Sequence, residues 1–325
     1  MFDRRTFMQA VAATATVFTF ASFAGAALAA DPVVIKFSHV VAPDTPKGKG
    51  ADKFKELAER YTAGAVKVEI YPNSQLYKDK EELEALQLGA VQMLAPSLAK
   101  FGPLGIKDFE VFDLPYIFPD YDALHSVTQG PIGMAFWDNG FKIMSANSPI
   151  KTPDDFLGLK MRIQSSKVLE AEINALGAVP QVMAFSEVYQ ALQTGVVDGT
   201  ENPPSNMYTQ KMHEVQKYAT ISNHGYLGYA VIVNAKFWNE LPADVRGNLE
   251  KAMAEATDYA NAIARQENEK ALVAMKASGK TEFHEMTADE LAAWGAVLIP
   301  VQDEMAERIG TDLVRRVQET TGVKK

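Results

Sequence analysis

Residues 158–204 constrain the fold most strongly, because their hydrophobic period changes several times in a regular order. The residues up to Ile163 alternate between apolar and polar side chains, which is the period of a half-buried strand. A helical stripe then runs from Ser166, a good N-cap, to Gly177, a good C-cap. A short strand, a helix beginning at Ser186 and a third strand follow. This order predicts right-handed crossovers and a parallel sheet, and therefore an α/β fold.

The carboxyl ends of these predicted strands form the edge where a ligand is expected, because parallel sheets bind ligands there. The residues directly after the strands are 162–165, Phe185 and 201–203. They include the guanidinium of Arg162, the ring of Phe185 and the amide of Asn202. The sequence therefore predicts a ligand site that combines a cation, an aromatic surface and an amide.

Residues 1–29 are predicted to be a signal peptide. Arg4 and Arg5 precede an almost uncharged, alanine-rich run, and Ala-Leu-Ala at 27–29 has the small-x-small form of a cleavage site. The Arg-Arg-x-Phe order is typical of the twin-arginine export route, and the general secretory route is the other possibility. A membrane anchor is the alternative, since the run is nearly long enough to span a bilayer. The alanine-rich composition and the cleavage motif favour the signal peptide.

An internal similarity predicts two lobes that face one another. LQLGAVQML, beginning at Leu86, resembles LQTGVVDGT, beginning at Leu192, and each contains a helix end, a glycine and a strand start. The mature chain of about 295 residues is long enough for two lobes. Equivalent strand ends would flank one cleft, with Ser97 on one side and Asn202 on the other.

A long predicted helix at residues 243–278 supports the same arrangement. Its central part lacks proline and glycine and keeps one apolar stripe. At about 1.5 Å per residue it extends some 50 Å, more than one lobe needs, so we expect it to span both lobes. A last helix is predicted from Thr287 to about Gln318. We assign residues 30–139 and 228–267 to lobe I, and residues 140–227 and 268–325 to lobe II.

Composition excludes several classes of function. The chain has no cysteine, so disulfides, cysteinyl metal sites and a thiol nucleophile are excluded. Its net charge of -9, with acidic and basic residues interspersed, argues against binding to nucleic acid or to a membrane surface. Such a protein can still bind an anion where the cleft itself is positive. The two lysines of the loop VVAPDTPKGKG, Lys47 and Lys49, are either such cations or solvated surface residues.

Signals of catalysis are absent from the sequence. The five histidines lack metal-binding spacing, and the nucleophile elbow, the phosphate-binding loop and the dinucleotide glycine fingerprint are all missing. We therefore expect no enzyme activity, no catalytic or metal-binding residues and no cofactor.

Arg162 carries the strongest signal of binding. It lies between Met161 and Ile163 in a strand that helices should cover, and a buried guanidinium needs a partner. One interpretation is a structural salt bridge with a helix carboxylate. The other is a ligand carboxylate held by two parallel hydrogen bonds, the geometry that suits a guanidinium best. Asn202, followed by two prolines that fix its backbone, would add an amide donor.

Several segments resemble the solute-binding proteins of tripartite ATP-independent periplasmic (TRAP) transporters, of the DctP type. They are LGLKMRIQSS, MAFSEVYQALQTGVVDGTENP, HEVQKYATISNHGYLGYAVIVN, KFSHVVAPDTPKG and YPNSQL. The resemblance covers essentially the whole mature chain, and residues 183–203 are its most specific part. It implies a periplasmic, monomeric receptor with a two-lobed, type II-like α/β fold that closes on an organic acid. Its implied partners are the small and large integral membrane subunits of an ion-driven permease.

The resemblance also assigns ligand-binding residues. Arg162 matches the arginine that clamps the ligand carboxylate, Asn202 matches the asparagine after the Asp-Gly-x-Glu run, and Phe185 matches the aromatic that packs on the ligand. Lys142 falls at an often basic position and is expected to be a second anchor. Other residues expected to line the cleft are Ser97, Ser165, His39, Lys47, Tyr226 and Trp137.

The chain departs from the family pattern in two places. Thr200 stands where relatives usually have glutamine, and GPIGMAFWDNG lacks a helix expected before Trp137. The second departure predicts a weaker flank of lobe I.

The resemblance to one branch of the family, carried by QSSKVLEA and WDNGFK, implies a C4-dicarboxylate such as succinate, malate or fumarate. Two carboxylates need two cations, which Arg162 with Lys142 or Lys47 would supply. Monocarboxylates such as 2-oxoacids, lactate or aromatic acids, and also sugar acids, are alternative ligands. A ligand-binding subunit for a sensor kinase and an exported lyase or hydrolase are alternative functions.

Overall fold

The computed structural model describes residues 31–128 and 135–323. The predicted signal peptide and most of the shortened connection before Trp137 lie outside these residues. Within them, no helix is both long enough and apolar enough to cross a membrane.

The described residues form eleven β-strands and eleven α-helices. The strands are β1 (Val33–Ser38), β2 (Val66–Tyr71), β3 (Met93–Leu94), β4 (Ala135–Phe141), β5 (Ile143–Ala146), β6 (Lys160–Ile163), β7 (Val179–Val182), β8 (Gly199–Asn202), β9 (Tyr218–Ile221), β10 (Tyr226–Val233) and β11 (Glu282–Glu285). The helices are α1 (Pro46–Tyr61), α2 (Glu81–Gln87), α3 (Tyr121–Thr128), α4 (Lys167–Ala175), α5 (Val188–Thr194), α6 (Pro204–Thr209), α7 (Ala235–Glu240), α8 (Ala243–Ser278), α9 (Ala288–Leu298), α10 (Pro300–Ile309) and α11 (Thr311–Thr321).

The strands form two sheets, which confirms the predicted two-lobed α/β fold. The sheet of lobe I has the order β2-β1-β3-β10-β4, and the sheet of lobe II has the order β11-β9-β5-β8-β6-β7. Strand β6 pairs in parallel with both β7 and β8, as the alternating pattern of residues 158–204 predicts. The residue boundaries assigned to the two lobes stay a prediction.

Helix α8 contributes to the cores of both lobes. Ala256 and Ala260 of its first half pack in one apolar cluster with Phe37 of β1. Met275, near its end, packs with Ile143 of β5 and Val188 of α5 in another cluster. The prediction that this helix spans both lobes is therefore confirmed.

The chain crosses between the lobes at two places that lie beside each other. Strand β4 of lobe I continues through Lys142 into β5 of lobe II, and β9 of lobe II continues through residues 222–225 into β10 of lobe I. The backbone N–H of Lys142 donates to the carbonyl of Gly225 at 2.8 Å, so the two crossings are hydrogen bonded to each other. We call this pair of crossings the hinge.

The loop VVAPDTPKGKG, whose lysines could have been solvated surface residues, is largely buried. Thr45 caps α1 by accepting a hydrogen bond from the N–H of Gly48, and Pro46 starts the helix with a preset backbone. Gly50 then lies so close to α8 that an added Cβ would be 2.9 Å from the Cβ of Ala260. This close packing of α1 on α8 places Lys47 inside the molecule.

The predicted last helix is three helices, α9, α10 and α11. The first of them begins beside the predicted start, and Thr287 caps it in a capping box with Glu290. Pro300 and Gly310 then separate the three helices. A proline removes a backbone donor and clashes with the preceding turn, so a straight continuation is not possible there.

Candidate functional site

A small cavity lies between the two sheets, beyond the carboxyl ends of β1 and β6. Its free volume is about 20 Å³, enough for roughly one water molecule. The residues that line it come from both lobes: Val40, Val41, Lys47, Asp79, Ser97, Lys100, Gln164, Phe185, Asn202, Asn206, Leu227 and Tyr229. A wider outer pocket, lined by Arg162 and Ser165, shares Asp79, Lys100 and Gln164 with this cavity. We call the two spaces together the interlobe site.

Arg162 is buried beside the interlobe site, with only 1 % of its surface exposed. Its Nε and Nη2 atoms both donate to the carbonyl of Met183, at 3.0 and 2.8 Å. Among the described residues, no carboxylate oxygen lies within 4.0 Å of it. Burial lowers the pKa of Arg162, and the carboxylates of Asp79 and Glu201 oppose that change from a distance. The structural salt bridge considered from the sequence is therefore not formed.

Lys47 is the second buried cation without an ion-pair partner. Its Nζ donates to the carbonyl of Ala95 at 3.0 Å and lies 3.7 Å from the centre of the Tyr229 ring. In the described part of the chain its ammonium has no carboxylate within 4.0 Å. Burial, with repulsion from Lys100, lowers the pKa of Lys47 to about 7. A bound anion would remove this penalty.

Lys100, by contrast, is fully compensated. Its Nζ lies 2.7 Å from Asp79 and 2.6 Å from Glu82. Burial raises the pKa of Asp79, but Lys100 and Arg162 more than offset this effect and lower that pKa to about 2. Lys100 therefore brings no net positive charge to the site, and Asp79 remains ionised.

Neutral groups complete the interlobe site. Asn202 accepts a hydrogen bond from Asn206 at 3.2 Å, and its own buried Nδ2 has no hydrogen-bond partner among the described residues. The ring of Phe185 lines the cavity and lies 5.9 Å from the guanidinium carbon of Arg162. Ser97 donates to Gln164 at 2.5 Å, across the two lobes. The free amide of Asn202 thus offers a donor to a ligand.

The structure brings Lys47, Ser97, Phe185 and Asn202 together around the cavity, with Arg162 beside it. Ser165 is exposed in the outer pocket. Four expected residues lie elsewhere: Lys142, His39, Tyr226 and Trp137. Lys142 forms an ion pair with Glu201 at 2.8 Å, both side chains being 1 % exposed, and it lies in the hinge. His39 is buried near Lys47, and burial together with that cation lowers its pKa to about 3.

Tyr226 is the third expected residue that lies outside the cavity. Its hydroxyl donates to Asp138 at 2.6 Å, and its ring stacks on Phe136. Successive side chains of a strand point to opposite faces, and in β10 Leu227 and Tyr229 face the cavity, so Tyr226 faces away from it.

Trp137, also expected in the cleft, is fully buried in the core of lobe I. Its Nε1 donates to Thr257 of α8 at 2.9 Å. Thr200 is buried in β8 and is not among the residues that line the cavity.

Sequence reasoning missed seven residues that line the cavity: Val40, Val41, Asp79, Lys100, Asn206, Leu227 and Tyr229. Two of them carried a usable signal. Asn206 follows Asn202 by four positions, and Tyr229 lies on the β10 face opposite Tyr226. Asp79 and Lys100 gave none, because their positions depend on how α2 and the segment after β3 pack together.

Comparisons with known proteins show which family the chain resembles. The family model described as bacterial extracellular solute-binding protein, family 7 (DctP), matches residues 37–309. The C4-dicarboxylate-binding periplasmic protein DctP of Rhodobacter capsulatus is 78% identical over 306 residues, which cover 90% of this chain and 92% of that protein. The C4-dicarboxylate-binding protein DctB of Bacillus subtilis is 41% identical, over 89% of this chain and 87% of its own.

Solved structures of TRAP periplasmic solute-binding proteins are also similar. One from Shewanella oneidensis, with bound succinate, has a TM-score of 0.87 and 40% identity, and covers 89% of this chain and 99% of that chain. One from Pseudomonas aeruginosa, with bound L-malate, has a TM-score of 0.81 and 44% identity, and covers 84% of this chain and 100% of that chain. A sugar acid-binding protein from Advenella mimigardefordensis, in complex with galactonate, has a TM-score of 0.86 and 30% identity, and covers 90% of this chain and 98% of that chain. The chain therefore belongs to the DctP family, the solute-binding proteins of TRAP transporters.

Proposed function

We propose that this protein is a periplasmic receptor for a C4-dicarboxylate such as succinate, malate or fumarate. One observation carries the proposal. Two buried cations, Arg162 of lobe II and Lys47 of lobe I, flank the interlobe site without a carboxylate partner from the described protein. A ligand with two carboxylates compensates both charges at once. The succinate and L-malate bound to the related structures support this choice.

The two carboxylates have different roles in the proposed complex. One accepts hydrogen bonds from Arg162, which suits a bidentate anion, and the amide of Asn202 adds a donor. The other accepts a hydrogen bond from Lys47. Phe185 and Leu227 offer apolar surface to the carbon chain between them. Because the anion contacts both lobes, it binds the closed state better than the open state and shifts the population toward closure.

A sugar acid is the second candidate ligand, because a related structure holds galactonate. Such a ligand has one carboxylate and several hydroxyls. Val40, Val41 and Leu227 contribute apolar surface to the cavity, and this surface does not satisfy hydroxyl groups. A monocarboxylate or 2-oxoacid, like a sugar acid, has one carboxylate. It therefore leaves one of the two cations unpaired.

The proposed partners follow from family membership. The closed, loaded receptor would dock on the small and large membrane subunits of a TRAP permease, which an ion gradient drives. We further propose that the protein acts as a monomer, without catalytic activity, after export through the twin-arginine route. Delivery to a sensor kinase is the alternative, and growth on the ligand after deletion of the permease distinguishes the two.

Isothermal titration of the mature protein tests the ligand. Succinate, L-malate and fumarate are compared with butyrate, which has the same chain length and one carboxylate, and with galactonate. We expect the best dicarboxylate to bind at least about tenfold more tightly than butyrate, because one charge-assisted contact is lost. Equal or tighter binding of butyrate or galactonate would contradict the proposal.

A further inference from the structure

We infer that Asp79 is a positioning residue that holds the two lobes together in the closed state. The inference deepens the proposed receptor function, because closure around the ligand is what that function requires. Asp79 lies in lobe I, on the loop before α2, and it lines both parts of the interlobe site. Its carboxylate nevertheless contacts the backbone of lobe II at 2.7 Å, the same distance as its contact with Lys100.

The contact fixes a short segment of lobe II, residues 183–185, that follows β7. The N–H of Phe185 donates to Asp79 Oδ2 at 2.7 Å. Two residues earlier, the carbonyl of Met183 accepts both hydrogen bonds from Arg162. The segment is therefore held at one end by its own lobe and at the other end by the opposite lobe. Through this segment, Asp79 restrains both Phe185 and Arg162, which line the interlobe site.

Asp79 is itself held rigidly in lobe I. Its Oδ1 lies 2.7 Å from Nζ of Lys100, and the same Nζ lies 2.6 Å from Glu82 on α2. These neighbours keep the carboxylate ionised and aimed at the cleft. A hydrogen bond from a backbone N–H to an ionised carboxylate is shorter and roughly twice as strong as a neutral one. Such a bond, formed only when the lobes meet, favours the closed state.

Another polar contact between the same two segments is a weaker candidate for this role. Lys78 and Glu187 form an ion pair at 2.7 Å, but both side chains are about half exposed, at 50 % and 48 %. Water screens such a pair, and its net contribution is small. The side chain of Asp79 is only 17 % exposed. Lys78→Ala is therefore a matched control, because it removes a neighbouring contact between the same two segments.

Amide hydrogen exchange tests the inference, and it is measured without ligand and with saturating succinate because the contact belongs to the closed state. With succinate, the Phe185 amide of the wild type should be protected. Asp79→Ala should accelerate its exchange by about tenfold or more, and Asp79→Asn, which keeps an acceptor of the same shape, should have a smaller effect. Lys78→Ala should leave it within about twofold. An unprotected Phe185 amide in the succinate-loaded wild type, or unchanged exchange in succinate-loaded Asp79→Ala, would overturn the inference.

Succinate binding gives a second readout. The competing explanation, in which the charge of Asp79 repels the ligand, predicts a change of affinity in the opposite direction. If Asp79 holds the lobes together, Asp79→Ala weakens succinate binding and Asp79→Asn weakens it less. If its charge merely repels the ligand, both variants bind more tightly, and the inference fails. If Asp79→Ala does not fold, Asp79→Asn alone decides the question. The direction of change in Phe185 amide exchange and in succinate affinity then gives the answer. A wild type that binds no dicarboxylate would refute the proposed function and leave the exchange measured without ligand to stand on its own.

Discussion

Two regions of the molecule bury cations in different ways. At the interlobe site, the charged groups of Arg162 and Lys47 donate to backbone carbonyls and lie near aromatic rings, and neither forms an ion pair with the described residues. At the hinge, Lys142 forms an ion pair with Glu201. The carboxyls of Asp113 and Glu172 also act electrostatically on Lys142. The two regions are equally well buried, so exposure does not distinguish them. What distinguishes them is whether the protein supplies the opposite charge.

The physical consequences of this difference are opposite. Burying a charge is costly unless a partner compensates it. Burial and Lys100 lower the pKa of Lys47 to about 7. Burial would also lower the pKa of Lys142, but the carboxylate of Glu201 and the other acidic groups raise it. A buried cation that the protein compensates supports the structure, whereas one that it leaves uncompensated indicates a ligand.

Removing the hinge cation should have the largest effect. Lys142→Met leaves Glu201 buried without its partner, so the free energy of unfolding should fall by about 3–5 kcal/mol. Urea denaturation of the ligand-free protein measures this loss. The double variant Lys142→Met, Glu201→Gln should recover part of it. Unchanged stability of the single variant would mean that the hinge ion pair is not a structural element.

Removing the guanidinium of the interlobe site should affect binding rather than folding. Arg162→Ala should weaken dicarboxylate binding by about 2–5 kcal/mol, because the ligand carboxylate loses its buried partner. Isothermal titration measures the loss, and urea denaturation should show no comparable loss of stability. Arg162→Lys is the control for geometry, since it keeps the charge without the planar fork. Binding of Arg162→Ala at wild-type affinity would refute the assignment.

Replacing Lys47 should change selectivity. Lys47→Met keeps much of the side-chain volume and removes the charge, so dicarboxylate binding should weaken by about 1.5–3 kcal/mol. Binding of butyrate should change much less, because its one carboxylate is held at Arg162. Parallel titrations with succinate and butyrate give the ratio. An unchanged ratio would show that Lys47 is not the second anchor.

The smallest expected effect is a dependence of binding on pH. The pKa of Lys47 is lowered to about 7 in the ligand-free protein, and a bound dianion favours its charged form. Binding should therefore take up a proton above pH 7, and affinity should decline by up to about tenfold per pH unit. Titrations in buffers of different ionisation enthalpy measure this proton uptake.

Lys47→Met is the matched control for that experiment. Burial raises the pKa of Asp113 to about 7 and that of Glu172 to about 8, so these two groups, which act on Lys142 of the hinge, titrate in the same window. Proton uptake that persists in Lys47→Met would come from these hinge groups. Uptake that disappears would assign it to Lys47.

Local patterns determined much of the fold. The alternation of residues 158–204 predicted the parallel strands, and the uninterrupted stripe predicted α8 with the bounds that the structure shows. The position of Arg162 between two apolar strand residues predicted its burial. These properties depend on neighbours along the chain, and a single sequence contains them.

The environment of each charge was decided only by the tertiary structure. From the sequence, Lys142 was expected to be a ligand anchor. Lys47 could be either a cleft cation or a solvated surface residue. Their surroundings depend on Glu201 and on the close packing of α1 against α8, which are distant in sequence. The choice between Tyr226 and Tyr229 likewise depended on which face of β10 turns toward the cavity. Periodicity indicates which side chains are buried, whereas the charges they meet depend on how separate elements pack.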